Sequence, residues 1–497
     1  MTPEIKKLKE VYMSSEVVST YEGLNIDTEK TGKVPFNQKL VFGLGMLANQ
    51  MFPAALGIFM VVLVKDLGFP TWLWGIIFFL PRLVDAISDP VMGYISDNTK
   101  SRWGRRRPYV FIGAILTGVS YIVMWQLYKE NGLTYNATYF IIFSIVFYLG
   151  LTIFSVPYVA MGYEMSNDFH ERTRLMAVAQ WIGQWAWVIS PWFWVIIYKP
   201  EWFDSPAGGC RELAIWVGLV CMILALIPAI FVKSESTKDA KNLEELSIKK
   251  IGNNLSLLYK GFVDAFKLKP FRKLCFSTFF VFNAFNTIAA FSFFIIVYYM
   301  FNGNAGDAGL WPTLHGSIGA ICTTFLVIPV VAYISQKIGK KKTFLVSQGI
   351  SIIGYLLFWW AFQPGNPYLI FLPLPFFAFG IGGLFTLMMS MTADVCDLDE
   401  LNTGKRREGV FGAIFWWMVK FGLAFAGLLS GLIMTIVNFT PGADVQPEGA
   451  VTGMRIAYTL VPIIGTMIAM AIMWTYDLTE DKSNEIRLQL EARKAKK

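Results

Sequence analysis

The chain predicts an all-α membrane protein with twelve transmembrane helices arranged as two six-helix bundles. Three observations carry this expectation: composition, the length of its apolar runs, and a repeated basic loop. Of 497 residues, 55% are hydrophobic and 16% charged, and the mean hydropathy is +0.49. Soluble domains carry about 25% charged residues. Hydrophobic runs of about 20 residues recur along the whole length, each long enough to cross a hydrocarbon core. They are continuous rather than alternating, which excludes a β-barrel.

The first 37 residues are polar and lack the pattern of a cleaved signal, so the run from Lys39 is expected to act as an uncleaved anchor. Twelve spans follow, at about 38–64, 71–98, 108–128, 137–165, 175–198, 211–232, 273–301, 309–336, 342–362, 367–395, 409–438 and 452–476. Alternate connections are basic: Lys100 to Arg107, Arg172 and Arg174, the stretch 233–273, Lys337 to Lys342, and Lys405 to Arg407. The intervening ones hold little beyond Lys65, Lys129, Lys199 and Arg211. Positive charge accumulates on the cytoplasmic side, so both termini are expected there, in a cell (inner) membrane. The formal charge of +8 reflects this bias, and no nucleic-acid partner is implied. Five scattered cysteines make no disulfide framework.

The organisation read from this is a cytoplasmic segment 1–37, a bundle 38–232, a central loop 233–272, a bundle 273–476 and a tail 477–497. In the loop, NNLSLLYKGFVDAFKLKPFRKL spaces lysines and apolar residues as an interfacial amphipathic helix would, although a plain tether reads equally well. A repeat supports the division. GYISDNTKSRWGRRRPYV (93–110) leaves the second span and AYISQKIGKKKTFLV (332–346) leaves the eighth, each through Tyr-Ile-Ser into a tight basic turn. Matching features in two halves are the mark of a transporter built from related bundles, with its site at midplane.

The second span also carries Arg82, Asp85 and Asp89, spaced i, i+3 and i+7 on one helix face. A charge at bilayer depth is tolerated only against a partner or a cavity. Arg82 can neutralise one aspartate and leaves the other without a local partner. Two carboxylates four residues apart offer hard oxygen ligands that repel one another until a cation or proton arrives, making Na+ a candidate ion at Asp85 and Asp89. Thr152 and Ser155 in LTIFSVPYVAMGY are neutral oxygen donors in the fourth span, or simply bond back to their own backbone. Lys420 lies mid-span among aromatics, too deep to snorkel, and needs a carboxylate or substrate partner, for which the span-two aspartates are the natural candidates.

These blocks resemble the glycoside–pentoside–hexuronide:cation symporters of the major facilitator superfamily, typified by melibiose permease. The likeness lies in RLVDAISDPVMGYISDNTKSRWGRRRPY, NDFHERTR (167–174), CDLDELNTGKRREG (396–409) and MVKFGLAFAG (418–427). The resemblance implies the major facilitator fold, alternating access, and a cation site at Asp85, Ser88, Asp89 and Thr152 linked to Lys420. It implies no cofactor, and a coupling ion that is Na+ or H+. Acidic and basic residues that recognise galactosides in the family align with Asn49, Ser155 and Gln180 here, so galactoside recognition is not carried over.

On the substrate side, AQWIGQWAWVISPWFW (179–194) presents Gln180, Gln184 and Trp185, and Trp416 precedes Lys420 by one turn. Gln50, Asn283 and Asn286 are further pocket candidates. Polar side chains beside an aromatic face suit a sugar ring, and they also serve as helix-packing glue. Arg102, Arg105 and Arg106 are candidate cytoplasmic gate residues, pairing with Glu171, Asp397 or Glu400 when the transporter faces outward. The function expected is cation-coupled symport of a glycoside, oligosaccharide or uronide by a monomer in contact with membrane lipid. Transport of a lysolipid-like amphiphile and non-transporting sugar sensing are the alternatives. With two histidines and no convergent nucleophile–base set, an enzyme is not expected.

Overall fold

The computed structural model describes residues 33–166, 169–234, 236–238, 248–404 and 407–495, and among these there is helix and no strand. The first bundle holds α1 (Phe36–Lys65), α2 (Thr71–Asp97), α3 (Arg107–Met124), α4 (Leu133–Glu164), α5 (Phe169–Ile189) and α6 (Pro206–Phe231). After the amphipathic α7 (Ile248–Lys267) come α8 (Lys269–Met300), α9 (Trp311–Ile338), α10 (Lys340–Ala361), α11 (Leu374–Thr403), α12 (Glu408–Ile436) and α13 (Glu448–Trp474). A last helix, α14 (Glu480–Ala495), follows.

Local chemistry sets many of these boundaries. Pro35 and Pro70 immediately precede α1 and α2, where a residue locked in extended conformation opens a helix. Ser205 caps α6 by accepting from the Gly208 amide, with Pro206 in the first turn. Gly404 closes α11 at φ +69, a left-handed conformation favouring glycine.

Among the described residues eleven helices are long and apolar enough to cross a membrane, and the twelfth expected span is α5. That helix carries Glu171, Arg174, Gln180 and Gln184, and breaks at Ser190–Pro191 before a short helix, Trp192–Ile197. Polarity and the break together deny it one long apolar run. The cause is compositional, and the segment still packs along α1 as a bundle member.

The two bundles repeat one another's packing. In the first, α1 lies against α5 and α6, α3 against α4 and α6, and α2 against α4. In the second, α8 lies against α12 and α13, α10 against α11 and α13, and α9 against α11. The bundles meet along α2–α12 and α5–α9. Both seams are closed at the end away from the basic loops. There Thr71 Oγ1 and Thr435 Oγ1 are 2.7 Å apart, Ser317 Oγ donates to the Val188 carbonyl at 2.7 Å, and Thr313 Oγ1 donates to the Pro191 carbonyl at 2.8 Å. Gly431 permits the close approach of α12 to α2, since a Cβ there would stand 2.5 Å from the Thr71 carbonyl oxygen.

At the basic end, ion pairs fasten each bundle internally. Glu164 on α4 receives Arg105 and Arg106, and Arg106 also binds Asp97. Lys39 on α1 holds Glu171 of α5 at 2.6 Å. In the second bundle Asp394 of α11 binds Lys340 at 2.6 Å and Arg487 of α14 at 2.9 Å.

Overpacking a tight helix contact destabilises by about 1–3 kcal/mol. Gly431→Leu is therefore expected to lower the stability of the purified protein by that amount, measured by thermal unfolding in detergent. A stability equal to wild type would show that the seam does not need the missing side chain.

Candidate functional site

The site is built at mid-span from three helices across the α2–α12 seam. Asp85 and Asp89 lie 14 and 18 residues beyond Thr71, the start of α2, so Asp85 stands about 20 Å along the helix at 1.5 Å per residue. Pro90 follows directly. Its missing N–H removes the usual helical donor from the Ala86 carbonyl, loosening the ladder beside the carboxylates.

Lys420 of α12 closes the arrangement. Its Nζ donates to Asp85 Oδ2 at 2.9 Å and also to Asp89 Oδ2. The other carboxylate oxygens face α4, where Thr152 Oγ1 lies 2.7 Å from Asp85 Oδ1 and 3.0 Å from Asp89 Oδ1. Ser88 Oγ is 3.0 Å from Thr152 Oγ1 and donates to the Asp85 carbonyl at 3.2 Å. Two carboxylates and two hydroxyls thus converge as hard oxygen donors, with an ammonium already bridging the carboxylates. Such a set binds a small cation or a proton in place of that ammonium.

The cluster is enclosed on one side. Phe79 of α2 packs edge-on against Phe425 at 5.3 Å, and Phe279 of α8 packs against Phe425 at 5.6 Å. These rings stand between the charges and the closed end of the seam. Yet the side chains of Lys420 and Asp89 keep 34% and 27% of their accessibility, while Asp85 keeps 8%. The contacts at the far end and these rings leave the accessibility of Lys420 and Asp89 to come from elsewhere along the seam.

Arg82 is not the aspartates' partner. It is buried, donates to the Phe78 carbonyl, and lies over the rings of Phe78 at 4.6 Å and Tyr148 at 5.5 Å. Lys420 reaches both carboxylates from the other bundle, which leaves a helix-local pair with Arg82 unnecessary. Tyr148, one turn before Thr152 on α4, carries a buried hydroxyl without a hydrogen-bond partner. It escaped sequence reasoning because one tyrosine among so many aromatics has no distinguishing spacing.

The other sequence candidates fare unequally. Trp416 is exposed one turn before Lys420, its ring 6.3 Å from Phe385 of α11. Ser155 is half-buried, Gln180 exposed and Gln184 half-buried. Trp185 stands edge-on to Trp181 at 6.2 Å, both exposed. Asn49 turns its amide to Met46 of its own helix. Gln50 accepts from the indole of Trp187 at 3.2 Å, a link no sequence spacing announced. Asn283 and Asn286 are packing groups, donating to the carbonyls of Gly422 and Phe282.

The proposed gate residues are apart in this conformation. Arg105 and Arg106 are engaged within their own bundle, Arg102 is exposed, and Asp397 binds Arg487 at 3.4 Å. Glu171 belongs to the same bundle as the arginines, so it cannot serve as the opposing acid. Lys39, bonded to it, holds its carboxyl below the usual carboxylate range.

The closed end has its own charged latch. Lys65 Nζ reaches across the seam to the Gly303 carbonyl at 3.5 Å and to Asp444 at 4.0 Å, over the ring of Tyr298. Beside it Asp66 accepts a 2.8 Å hydrogen bond from Tyr198. Burial raises the Asp66 carboxyl to about 6, against opposing pulls from Tyr198 and Lys65.

Two repeated bundles, joined at the end away from the basic loops and meeting at mid-span around paired charges, are the architecture of a secondary transporter. Residues 41–480 match the family described as MFS/sugar transport protein, and the chain belongs to that family. It is 26% identical to the glucuronide carrier protein homolog of Escherichia coli (strain K12), over 91% of this chain and 95% of that one. It is 23% identical to the isoprimeverose transporter of Lactiplantibacillus pentosus, over 87% and 86% of the two chains. It is also 26% identical to the lactose permease of Leuconostoc lactis, over 94% of this chain and 73% of that protein. Among solved structures, a bacterial homolog of the lysosomal transporter Spinster, inward-facing and unoccupied, superposes with a TM-score of 0.64 at 11% identity, covering 89% of this chain and 97% of that one. A D-xylose–proton symporter gives 0.60 at 16% identity, covering 89% and 97%. These likenesses establish the major facilitator fold.

Because burial favours protonated Asp66, the latched conformation is stabilised at low pH. That contribution is lost as pH rises from about 4 through about 6. A Tm profile across pH 4–8 is expected to fall on the alkaline side in wild type. In Asp66→Asn that component should disappear, and an unchanged profile would refute the assignment.

Proposed function

We propose that the protein is a cation-coupled symporter of a glycoside, oligosaccharide or uronide, working by alternating access between its two bundles. The observation that carries this reading is the Lys420 ammonium seated between Asp85 and Asp89. The ammonium and the coupling ion, Na+ or H+, compete for the same carboxylates. Arrival of the ion at Asp85, Ser88, Asp89 and Thr152 releases Lys420 to turn, with Trp416, toward substrate. Substrate then favours the ion-loaded form, and by linkage the ion favours substrate to the same extent. Gln180, Gln184, Trp185, Asn49 and Ser155 are the pocket residues proposed to meet sugar hydroxyls and ring faces.

The basic loops face the cytoplasm of an inner membrane, with both termini on that side. The conformation described is then inward-open, with the Lys65 latch as the outer gate. In the outward-open form, Arg102, Arg105 and Arg106 meet Asp397 and Glu400 across the cytoplasmic seam. The organisation proposed is a segment 1–37, bundles 38–232 and 273–476, and a tail 477–497. Between the bundles, α7 within 233–272 lies at the lipid interface. Each chain holds a complete site and functions as a monomer. The names of the relatives support this reading by spanning a glucuronide, isoprimeverose and lactose.

Asp89→Asn is expected to reduce ion-driven accumulation in proteoliposomes to background while leaving thermal stability within a few degrees of wild type. Wild-type uptake measured with and without Na+ at fixed pH identifies the ion. Undiminished gradient-driven uptake by the variant would defeat the proposed cation site.

A further inference from the structure

The class reading above leaves neutral and acidic glycosides equally open, and the charges at the seam choose between them. Lys420 bridges Asp85 and Asp89 at mid-span, and Arg82 stands one turn before Asp85 on the same helix, over Tyr148, so two basic side chains accompany two acidic ones. Their sum is zero. Asp394 and Asp399, buried carboxylates near the basic end of α11, have their own partners there, Lys340 and Arg487 for the first and Arg407 for the second. Arg455 of α13 is held between the rings of Tyr299 and Trp359 at 3.8 and 4.5 Å, away from this cluster.

A zero sum before the coupling ion binds has a direct consequence. Loading one Na+ or H+ leaves the site at +1, at a depth where an uncompensated charge is strongly disfavoured. A neutral sugar cannot correct this imbalance, whereas a carboxylate corrects it completely.

A second, independent observation points the same way. The donors left over around the cluster lack an anionic acceptor. Arg82 is 7% exposed and meets a carbonyl and two aromatic rings, with no carboxylate within ion-pair distance among the described residues. The Tyr148 hydroxyl beneath it is buried and unpartnered. Once the ion displaces it, the Lys420 ammonium becomes a third donor. Buried donors of this kind are poorly satisfied until an acceptor arrives.

We infer that the cargo is a carboxylate-bearing glycoside, a hexuronide in chemical class, whose anion balances the coupling ion so that one turnover moves no net charge. The inference rests on the symport reading. Lys420 receives the carboxylate once the ion holds the aspartates, and Arg82 and Tyr148 keep the surroundings cationic and rich in donors. Recognition and coupling are thereby one electrostatic event, because the substrate's charge is required only after the ion has entered.

The test uses the full-length protein in proteoliposomes under an inward gradient of the coupling ion. Uptake of 4-nitrophenyl β-D-glucuronide is compared with 4-nitrophenyl β-D-glucoside, which differs only at the sugar's sixth carbon. Each is measured at zero potential and at about 100 mV inside-negative, set with potassium and valinomycin. The glucuronide is expected to enter at least tenfold faster, with its accumulation unmoved by potential. A neutral cargo carried with one cation would instead gain up to about fifty-fold in accumulation from that potential. Arg82→Gln makes the empty set −1 and should shift preference toward the glucoside at least tenfold. Potential-driven accumulation of the glucoside by wild type would overturn the inference and leave symport standing. An unaltered preference in a folded, transporting Arg82→Gln protein would also overturn it. Failure to move either sugar would remove the symport reading and this inference with it.

Discussion

The architecture depends on one contact between bundles, the Lys420 ammonium held by Asp85 and Asp89. Neither partner is tolerable alone at that depth. An isolated ammonium or carboxylate in mid-span is disfavoured by several kcal/mol, and the seam brings an ammonium of one bundle onto two carboxylates of the other. The pair therefore does two jobs at once. It pairs the charges of the two bundles where they meet, and it makes their separation conditional on something else taking over the carboxylates. A cation can do that for the aspartates, but it leaves the lysine to find another anion. Everything proposed about coupling follows from that exchange.

The two ends of the seam are built differently for the same reason. At the closed end, contact rests on short hydroxyl hydrogen bonds and on backbones brought together at Gly431, with one long lysine reaching across. Apart from Lys65 these contacts are neutral and individually weak, so they form and part with little charge laid bare. At the basic end the strong pairs lie within each bundle, as Arg106 to Glu164 and Asp97 or Arg487 to Asp394. They hold each bundle rigid at its mouth, as rocking of whole bundles requires.

Much of the mid-span site was legible in the sequence, because charge inside an apolar run is a loud signal. Asp85, Asp89 and Lys420 announce themselves by depth alone. Thr152 and Ser88 needed the family likeness, since hydroxyls in spans more often bond to their own helix, as Thr117 and Thr386 do here. What stayed hidden depends on which residues meet across long stretches of chain. Arg82 looked like a local partner for one aspartate, yet Lys420, 331 residues from Asp89 and already a candidate partner by its depth, reaches both carboxylates. Tyr148 and Trp187 are ordinary aromatics until their neighbours are known. Asn283 and Asn286 looked like pocket residues for the same reason, and carbonyls on and beside their helix claimed them. The fifth span was located but not its break, because Ser190–Pro191 reads as well for a kink as for an end.

The substitution of Asn49, Ser155 and Gln180 for charged family residues takes on a different meaning in this light. Read singly, each is a lost contact to a sugar hydroxyl. Read together with the seam, they are uncharged positions that leave Arg82, Lys420, Asp85 and Asp89 to set the local sum at the proposed cation site. A site that begins negative can accept a cation and a neutral sugar and finish balanced. One that begins neutral finishes positive under the same load and holds that state only at a penalty. Selectivity for an acidic cargo then needs no new pocket, only the subtraction of carboxylates from an old one. The lysine's partial exposure toward the open end fits that economy, since the group that must greet the anion is the most accessible of the four.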